Sequence, residues 1–309
     1  MIVVLGAFDG FHRGHALLFE RARSLASVKG REEWGVVTFT PHPDSVVNGM
    51  RVKPLFSEEE QEFLVRFFAI PHVTKIHFND ELAAMSPKEF IALLESLLPV
   101  SGIVVGEDYR FGRGREGNAD FLCEYSSHRG WAFERVKTLA EEGGKISSSG
   151  IKKLVSAGDV SGAKKLLGYP FFFRAQIVKG DGRGRTLGYP TANTEYPADK
   201  ILPAKGVYAA SVLLMNNWHP GALNTGSIPT FIDCQNHRRF ETYILDIDET
   251  LYGSTITVFL EDFLRPEVKF DSKEELMQRI KYDVDSARAC YIKARKENSG
   301  LYKRIAAAF

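Results

Sequence analysis

The sequence has little of what marks secreted, cysteine-ligated or membrane-spanning proteins. Among 309 residues there are three cysteines, Cys123, Cys234 and Cys290, which lie far apart and form no Cys-x-x-Cys pair. A disulfide framework and a cysteine-based zinc site are therefore not indicated, and a reducing compartment is expected. No apolar run is long enough to span a bilayer. The first ten residues lack a basic leader, which is not typical of a signal peptide. We expect a cytoplasmic protein.

An excess of charge of one sign is also absent. The 40 Lys and Arg residues and 39 Asp and Glu residues give a formal net charge of +1. This balance gives no electrostatic reason to expect a nucleic-acid partner or an anionic membrane surface. The basic tail, residues 286–309, is predicted to be a solvated helix that packs Tyr291, Ile292 and Leu301 against a β-barrel predicted for the residues before it. The oligomeric state is not predicted.

Two regions with different periodicity divide the chain. The first alternates apolar strands with amphipathic helices, beginning with Ile2–Leu5 and Arg13–Val28, which predicts an α/β, Rossmann-like domain with a parallel sheet. After residues 168–170 the pattern predicts an antiparallel β-barrel followed by a C-terminal helix. The predicted barrel strands are Phe171–Val178, Gly206–Leu214, Phe240–Asp246 and Ser254–Phe263. We predict domains over residues 1–167 and 168–309.

A glycine- and histidine-rich turn, Gly6–His15, lies where the first predicted strand passes into the first helix. Glycines let a backbone pass close to phosphate, and a helix N-terminus adds unpaired N–H groups. His12 and His15 are three residues apart and can face the same side of the first turn, where imidazole donates to phosphate oxygen. Two alternatives are a tight turn with surface histidines and a zinc site, although no Glu follows His12 as in zinc-protease helices.

A second motif is the cationic loop Gly180–Asn193, with four glycines and two arginines in its first nine residues. Such a loop suits phosphate, but no Gly-Lys-Ser/Thr closes it as in a Walker A motif. The hydroxyl of Thr191 and the amide oxygen of Asn193 are two residues apart, so both can point to one side of an extended segment. Hard oxygens of this kind suit Mg²⁺. The alternative is a hairpin loop with surface arginines.

The run Gly-x-Phe-Asp-Gly-x-His-x-Gly-His over residues 6–15 resembles the signature of bacterial FAD synthetase modules, within the His-x-Gly-His nucleotidyltransferases. Later segments agree in order: Thr38–Pro43 resembles the Phe-x-Pro-His-Pro segment, Gly106–Gly112 the flavin-side loop, and Ile146–Ser149 the Ile-Ser-Ser-Thr helix start. The sequence departs from the family pattern at Ala7, Ser149 and Lys152.

This first resemblance implies that the FMN phosphate attacks the α-phosphorus of ATP and that pyrophosphate leaves. His12 and His15 would stabilise the phosphates, and Asp108 and Phe111 would lie by the flavin. The other residues that it assigns to the nucleotide are Gly6, Phe8, Asp9, Gly10, Gly14, Ser147, Ser148 and Lys152. Lysine at position 152 keeps the charge of the family's arginine without its planar fork.

The run Gly-Arg-x-Leu-Gly-Tyr-Pro-Thr-Ala-Asn over residues 184–193 resembles the riboflavin kinase signature. Supporting segments follow at Gly206–Ala209, Asn224–Gly226, Pro229–Phe231, Phe240–Glu241, Leu251–Gly253 and Phe263–Arg265. The resemblance implies that Glu241 is the base at the 5′-hydroxyl of riboflavin and that Thr191 and Asn193 bind Mg²⁺. It assigns Gly180, Arg183, Gly184 and Arg185 to the nucleotide. Arg265 would contact the flavin or a phosphate, with an ordinary surface arginine as the alternative.

The main hypothesis is a bifunctional enzyme that uses ATP and Mg²⁺ to convert riboflavin to FMN and FMN to FAD. One alternative keeps the kinase and weakens or loses adenylylation, because of the changes at Ala7 and Lys152. The other is a flavin-responsive binding protein without turnover.

Overall fold

The computed structural model describes the chain in two compact units. The described residues are 1–309 without 29, 31–32, 50–51, 142–143, 181–183, 185–186, 197–199, 227–238 and 248–250. The first unit comprises Met1–Lys53 and Leu64–Ser147, and the second comprises Pro54–Phe63 and Ser148–Phe309.

Strands and helices alternate up to Ser147. The strands are β1 (Ile2–Leu5), β2 (Trp34–Thr40), β3 (Val73–His77), β4 (Gly102–Gly106), β5 (Arg110–Phe111), β6 (Gly117–Asn118), β7 (Ala132–Val136), β8 (Ala140–Glu141) and β9 (Gly144–Lys145). The helices are α1 (Arg13–Val28), α2 (Pro43–Val47), α3 (Glu58–Phe67), α4 (Asp80–Ala84), α5 (Pro87–Leu97) and α6 (Ala119–Arg129).

A parallel sheet forms the centre of the first unit. Its strand order is β3–β2–β1–β4–β7, and all neighbouring pairs are parallel. The middle strand is entirely buried because Ile2, Val3, Val4 and Leu5 are all apolar, as expected for a strand covered on both faces. The prediction of an α/β domain with a parallel sheet is confirmed.

The second unit is built around an antiparallel barrel. Its helices are α7 (Ser148–Ala157), α8 (Val160–Leu167), α9 (Lys273–Glu297) and α10 (Ser299–Ala307), and its strands are β10 (Phe172–Val178), β11 (Thr191–Glu195), β12 (Val207–Leu214), β13 (Asn217–Asn224), β14 (Arg239–Ile244) and β15 (Thr255–Arg265). These strands close in the order β10–β11–β14–β13–β12–β15. The predicted barrel is confirmed, although β11 and β13 were not among the strands that the sequence predicted.

Aromatic side chains fill the barrel. The Phe240 ring lies 5.0 Å from that of Phe173 and 4.5 Å from that of Tyr196, and all three side chains are buried. Edge-on and tilted pairs at these distances add to the stabilisation from burial alone. Phe240 therefore marks the inward face of β14, and its neighbours in sequence on the same strand point outward.

The basic tail is helical, as predicted, and it packs through a set of residues that only partly matches the prediction. Tyr302 and Ile305 of α10 are buried, and the Tyr291 hydroxyl donates to the carbonyl oxygen of Trp218 at 3.2 Å. Ile292 is 57% exposed, so the prediction that it packs inward is wrong. Within the described ranges, no helix is both long enough and apolar enough to cross a membrane.

Candidate active sites

The histidine turn of the first unit connects the end of β1 to the start of α1. Phe8 and Gly10 have positive φ values of 47° and 88°, so the chain reverses tightly before the helix. Phe8, Asp9 and His12 are buried. A Cβ on Gly6 would lie 2.7 Å from the ring of Phe8, so only glycine lets that ring pack there.

His12 and His15 are in direct contact. Their rings are stacked, with centroids 3.6 Å apart and planes 17° from parallel. The backbone N–H of His15 donates to Nδ1 of His12 at 3.3 Å, which in the neutral ring places the proton on Nε2. Nδ1 of His15 is buried and has no hydrogen-bond partner within the described part of the chain. The pair therefore has ring nitrogens available for a ligand.

Burial keeps both histidines neutral. It lowers the pKa of His12 to about 4, against a smaller opposing effect of Asp9, and Lys145 lowers it further. Burial also lowers the pKa of His15 well below its usual value, with a further contribution from His12. An arriving phosphate group would favour the charged form of either ring.

The zinc alternative gains no support from this geometry. Stacked parallel rings do not direct their nitrogens at one point, as a tetrahedral zinc site requires. In the part of the chain that the structure describes, no group of three or more His, Cys, Asp or Glu side chains could hold a metal ion.

The flavin-side loop places its two predicted residues differently. Asp108 forms an ion pair with Lys145 of β9, and both side chains are about half exposed. Phe111 is buried in the core of the first unit, where its ring lies 5.5 Å from that of Phe90 and stacks at 5.7 Å on that of Tyr109. Asp108 is thus accessible to a ligand, whereas Phe111 is a core residue.

The predicted phosphate-contacting helix start is the N-terminus of α7. Ser147 is the last residue of the first unit, while Ser148 and Lys152 belong to the second. Ser148 is the first residue of α7, and Lys152 lies in its second turn. Gly14 lies in the first turn of α1 beside the His12 ring. A Cβ added at this position would stand 3.1 Å from that ring.

Three polar residues of the barrel form what we call the polar row: Asn193 on β11, Glu241 on β14 and Asn224 on β13. Asn193 is opposite Glu241 in the strand register, and Glu241 is opposite Asn224. Directly opposed residues of antiparallel strands point to the same face. Because Phe240 points inward, the row lies on the outer face of the barrel. Thr191, two residues before Asn193, shares this face.

The side chain of Asn193 is oriented by its own backbone. Its Nδ2 donates to the carbonyl oxygen of Thr191 at 3.3 Å, which identifies this atom as the amide nitrogen. Its Oδ1 is buried and has no hydrogen-bond partner among the described residues. An unsatisfied buried acceptor costs roughly 1–3 kcal/mol. A cation or a donor at this oxygen would offset that cost.

Two glycines of the cationic loop lie directly against these residues. A Cβ on Gly180 would stand 2.2 Å from Nδ2 of Asn193, and one on Gly184 would stand 2.3 Å from the carbonyl oxygen of Tyr189 and 3.3 Å from Oγ1 of Thr191. At Gly184 the clash is with backbone, which cannot move aside as the Asn193 side chain can, and at both positions the loop backbone lies close to a candidate metal ligand. Arg183, Arg185 and the segment Pro229–Phe231 lie outside the described residues.

Arg265 is held by a carboxylate. Its Nε and Nη2 donate to Oδ2 of Asp283 in α9 at 2.9 and 2.8 Å, and its guanidinium lies 5.5 Å from the centre of the Phe270 ring. Sequence reasoning missed Asp283, and it missed Lys145 as the partner of Asp108. No local pattern marks either residue, because each meets its partner only in the folded chain.

Comparison with known proteins agrees with both halves of the fold. Residues 1–150 match the FAD synthetase family and residues 167–291 match the Riboflavin kinase family. Bifunctional riboflavin kinase/FMN adenylyltransferases from Listeria monocytogenes and Escherichia coli are each 33% identical to the chain, with alignments that cover 94% and 93% of it and 93% and 91% of the relatives.

A solved structure matches the chain over a similar length. It is described as a macrolide-efflux protein from Streptococcus pneumoniae, and it superposes with a TM-score of 0.85 at 32% identity, covering 93% of both chains. The relatives and both family matches lead to one conclusion. The chain belongs to the bifunctional riboflavin kinase/FMN adenylyltransferase family, whose two activities together make FAD from riboflavin.

Proposed function

We propose that the two activities are divided between two sites, with riboflavin phosphorylated at the polar row of the barrel and FMN adenylylated at the histidine turn. The single observation that carries this division is the polar row, which places Glu241 beside the unsatisfied oxygen of Asn193 on the outer face of the barrel. The matches to both families favour the bifunctional hypothesis over a kinase alone.

In the kinase step, Glu241 would accept the proton of the terminal ribityl hydroxyl as that oxygen attacks the γ-phosphorus of ATP, and ADP would leave. A carboxylate is suited to this role because it can accept a proton, and the strand register fixes the backbone of Glu241 between Asn193 and Asn224. Gly180 and Gly184 would let the cationic loop approach the phosphates, with Arg183 and Arg185 as further contacts.

Thr191 and Asn193 fit a magnesium ion. Asn193 offers a buried oxygen without a partner, Thr191 offers a hydroxyl on the same face, and both are the hard ligands that Mg²⁺ accepts along with water and substrate phosphates. When bound, Mg²⁺ supplies positive charge that neutralises the phosphates of ATP. The two side chains would hold it beside Glu241.

In the adenylyltransfer step, the FMN phosphate attacks the α-phosphorus of ATP and pyrophosphate leaves, so no covalent enzyme intermediate is needed. His12 and His15 would donate to the phosphate oxygens and spread the developing charge. Gly6, Phe8, Asp9, Gly10 and Gly14 shape the turn around the nucleotide. Ser147, Ser148 and Lys152 would contact the leaving pyrophosphate, and Asp108 would lie by the flavin. Phe111 would support the flavin loop from within the core.

A product time course tests the proposal. Purified protein is incubated with riboflavin, Mg²⁺ and ATP, and the flavins are separated at intervals. We expect FMN first and then FAD. FMN without FAD would support the kinase that has lost adenylylation, and unchanged riboflavin would support the binding protein without turnover. The sparse cysteines support a cytoplasmic site of action as part of the same proposal.

A further inference from the structure

Asn224 ends the polar row, and nothing above gives it a role. Its Oδ1 is buried and has no hydrogen-bond partner among the residues that the structure describes. It lies opposite Glu241 on β14 and, across the other edge of β13, opposite Val207 on β12. A buried acceptor left unsatisfied beside a catalytic carboxylate is costly for the fold alone. This favours a role for Asn224 in binding a ligand.

The strand order shows on which side of Glu241 Asn224 lies. Beyond the polar row, the strand register pairs Asn224 with Val207 on β12, and Val207 with Arg265 on β15. Asn193, the candidate metal ligand, lies on the other side of Glu241. Neighbouring strands are about 4.8 Å apart, so Asn224 and Asn193 are separated by about 10 Å with Glu241 between them. Asn224 is therefore on the side of the base away from the metal and phosphates.

The backbone around Asn224 is firmly held. The hydroxyl of Thr225 accepts from the N–H of Gly206 at 3.0 Å and lies 2.9 Å from the carbonyl oxygen of Ala204, and the Thr225 N–H donates to the carbonyl oxygen of Gly206 at 3.0 Å. These bonds fix the end of β13 against the start of β12. The backbone that carries Asn224 is thus in place before any substrate arrives, which favours specific binding.

We propose that Asn224 binds the polyol chain of the flavin and makes the kinase selective for it. Its Oδ1 accepts a hydrogen bond from an inner ribityl hydroxyl, which holds the terminal hydroxyl at Glu241. This inference rests on the proposed kinase site. A site that pairs a buried acceptor with a substrate hydroxyl rejects analogues lacking that hydroxyl, because the acceptor is then left unpaired.

The test compares the unaltered protein and one variant on two substrates. Asn224→Leu has a similar volume and no acceptor. The substrates are riboflavin and a flavin whose N10 carries a 5-hydroxypentyl chain, with the terminal hydroxyl and no inner ones. We expect the unaltered protein to prefer riboflavin in kcat/KM by on the order of tenfold to a hundredfold. Asn224→Leu should lose a similar factor on riboflavin and little on the analogue, so that the preference collapses.

Two controls separate this result from misfolding. Asn217→Leu alters an exposed residue at the other end of the same strand and should keep the preference. FMN-to-FAD conversion by the Asn224→Leu sample should be unchanged, since Asn224 is not among the residues proposed for that step.

Three results would overturn the inference: an unchanged preference, an equal loss on both substrates, or a higher Mg²⁺ requirement in Asn224→Leu, which would make Asn224 a metal ligand. Each leaves the proposed kinase site intact. That site fails separately if Glu241→Ala still phosphorylates riboflavin.

Discussion

The hydroxyl of Tyr302, near the end of the chain, donates a hydrogen bond to Oε1 of Glu261 on β15. Oε1 also accepts from the Ser211 hydroxyl at 2.7 Å, and Oε2 accepts from Nζ of Lys164 at 2.8 Å. Burial, reinforced by the carboxylate, holds the pKa of Tyr302 well above its usual range, so the phenol remains a donor. One buried carboxylate thus joins α8, α10 and the barrel.

Tyr302→Phe should lower the free energy of unfolding of the second unit by roughly 1–3 kcal/mol, because Glu261 loses a donor in a buried site. Urea unfolding followed by a signal from the barrel measures this. Tyr282→Phe is the matched control, since Tyr282 is exposed on α9. Equal effects of the two changes would show that the contact does not anchor the tail.

A second buried carboxylate, Glu60, pairs with Lys200 at 2.5 Å, and neither side chain is exposed. Glu60 also accepts from the backbone N–H groups of Ser57 and Arg174 at 2.8 and 2.9 Å. Lys200→Met leaves this carboxylate buried without its cation and should cost about 3–5 kcal/mol. The double change Lys200→Met with Glu60→Gln should cost less than Lys200→Met alone. A double variant at least as unstable as the single one in urea unfolding would contradict this.

Acid should destabilise the first unit through its histidines. The pKa of His12 is about 4 in the folded chain and about 6.5 when unfolded. Between these values the unfolded chain binds more protons, so the free energy of unfolding falls as pH drops from about 6.5 towards 4. We expect His12 to account for a loss on the order of 2 kcal/mol between pH 7 and pH 5.

Urea unfolding of His12→Asn at the two pH values measures that contribution. The variant should show a smaller loss than the unaltered protein. His128→Asn, at an exposed histidine of α6, should leave the pH dependence as it is. A His12→Asn profile that matches the unaltered one would mean that His12 is not buried in the neutral form.

Thr191→Ala should raise the Mg²⁺ concentration that half-saturates riboflavin phosphorylation by about tenfold, because one of two protein oxygens is lost. FMN adenylylation should keep its Mg²⁺ dependence. Thr255→Ala, at an exposed position of β15, is the control. If Thr191→Ala changed both activities alike, the hydroxyl would not be a ligand of the kinase metal.

The sequence predicted those elements whose residues carry a regular pattern. The buried apolar run of β1 and the apolar spacing in α1 were sufficient to predict both elements. Strand β13 was missed because Pro220 and Gly221 interrupt its strand pattern. Pro220 is tolerated because β13 pairs with β14 only from Gly221 onward. The carbonyl oxygen of Pro220 accepts from the N–H of Leu245 beyond the end of β14. That arrangement depends on a distant strand and has no local signature.

The same contrast between local patterns and distant contacts holds for the candidate sites. The motifs predicted Thr191, Asn193 and Glu241, and the structure places all three on one face of the barrel. The ion pair of Arg265 with Asp283 was beyond prediction, since it joins β15 to a helix by contacts at long range. The unsatisfied oxygen of Asn224 is visible only once the strand register is known.

Complementation between two inactive variants tests the central division of labour most directly. From riboflavin, Glu241→Ala should make neither FMN nor FAD while still converting supplied FMN, and His15→Ala should accumulate FMN. Mixed with Mg²⁺ and ATP, the two variants should together make FAD from riboflavin, because FMN released by one is adenylylated by the other. A mixture that makes no FAD, or a Glu241→Ala sample that makes FAD from riboflavin alone, would contradict the account.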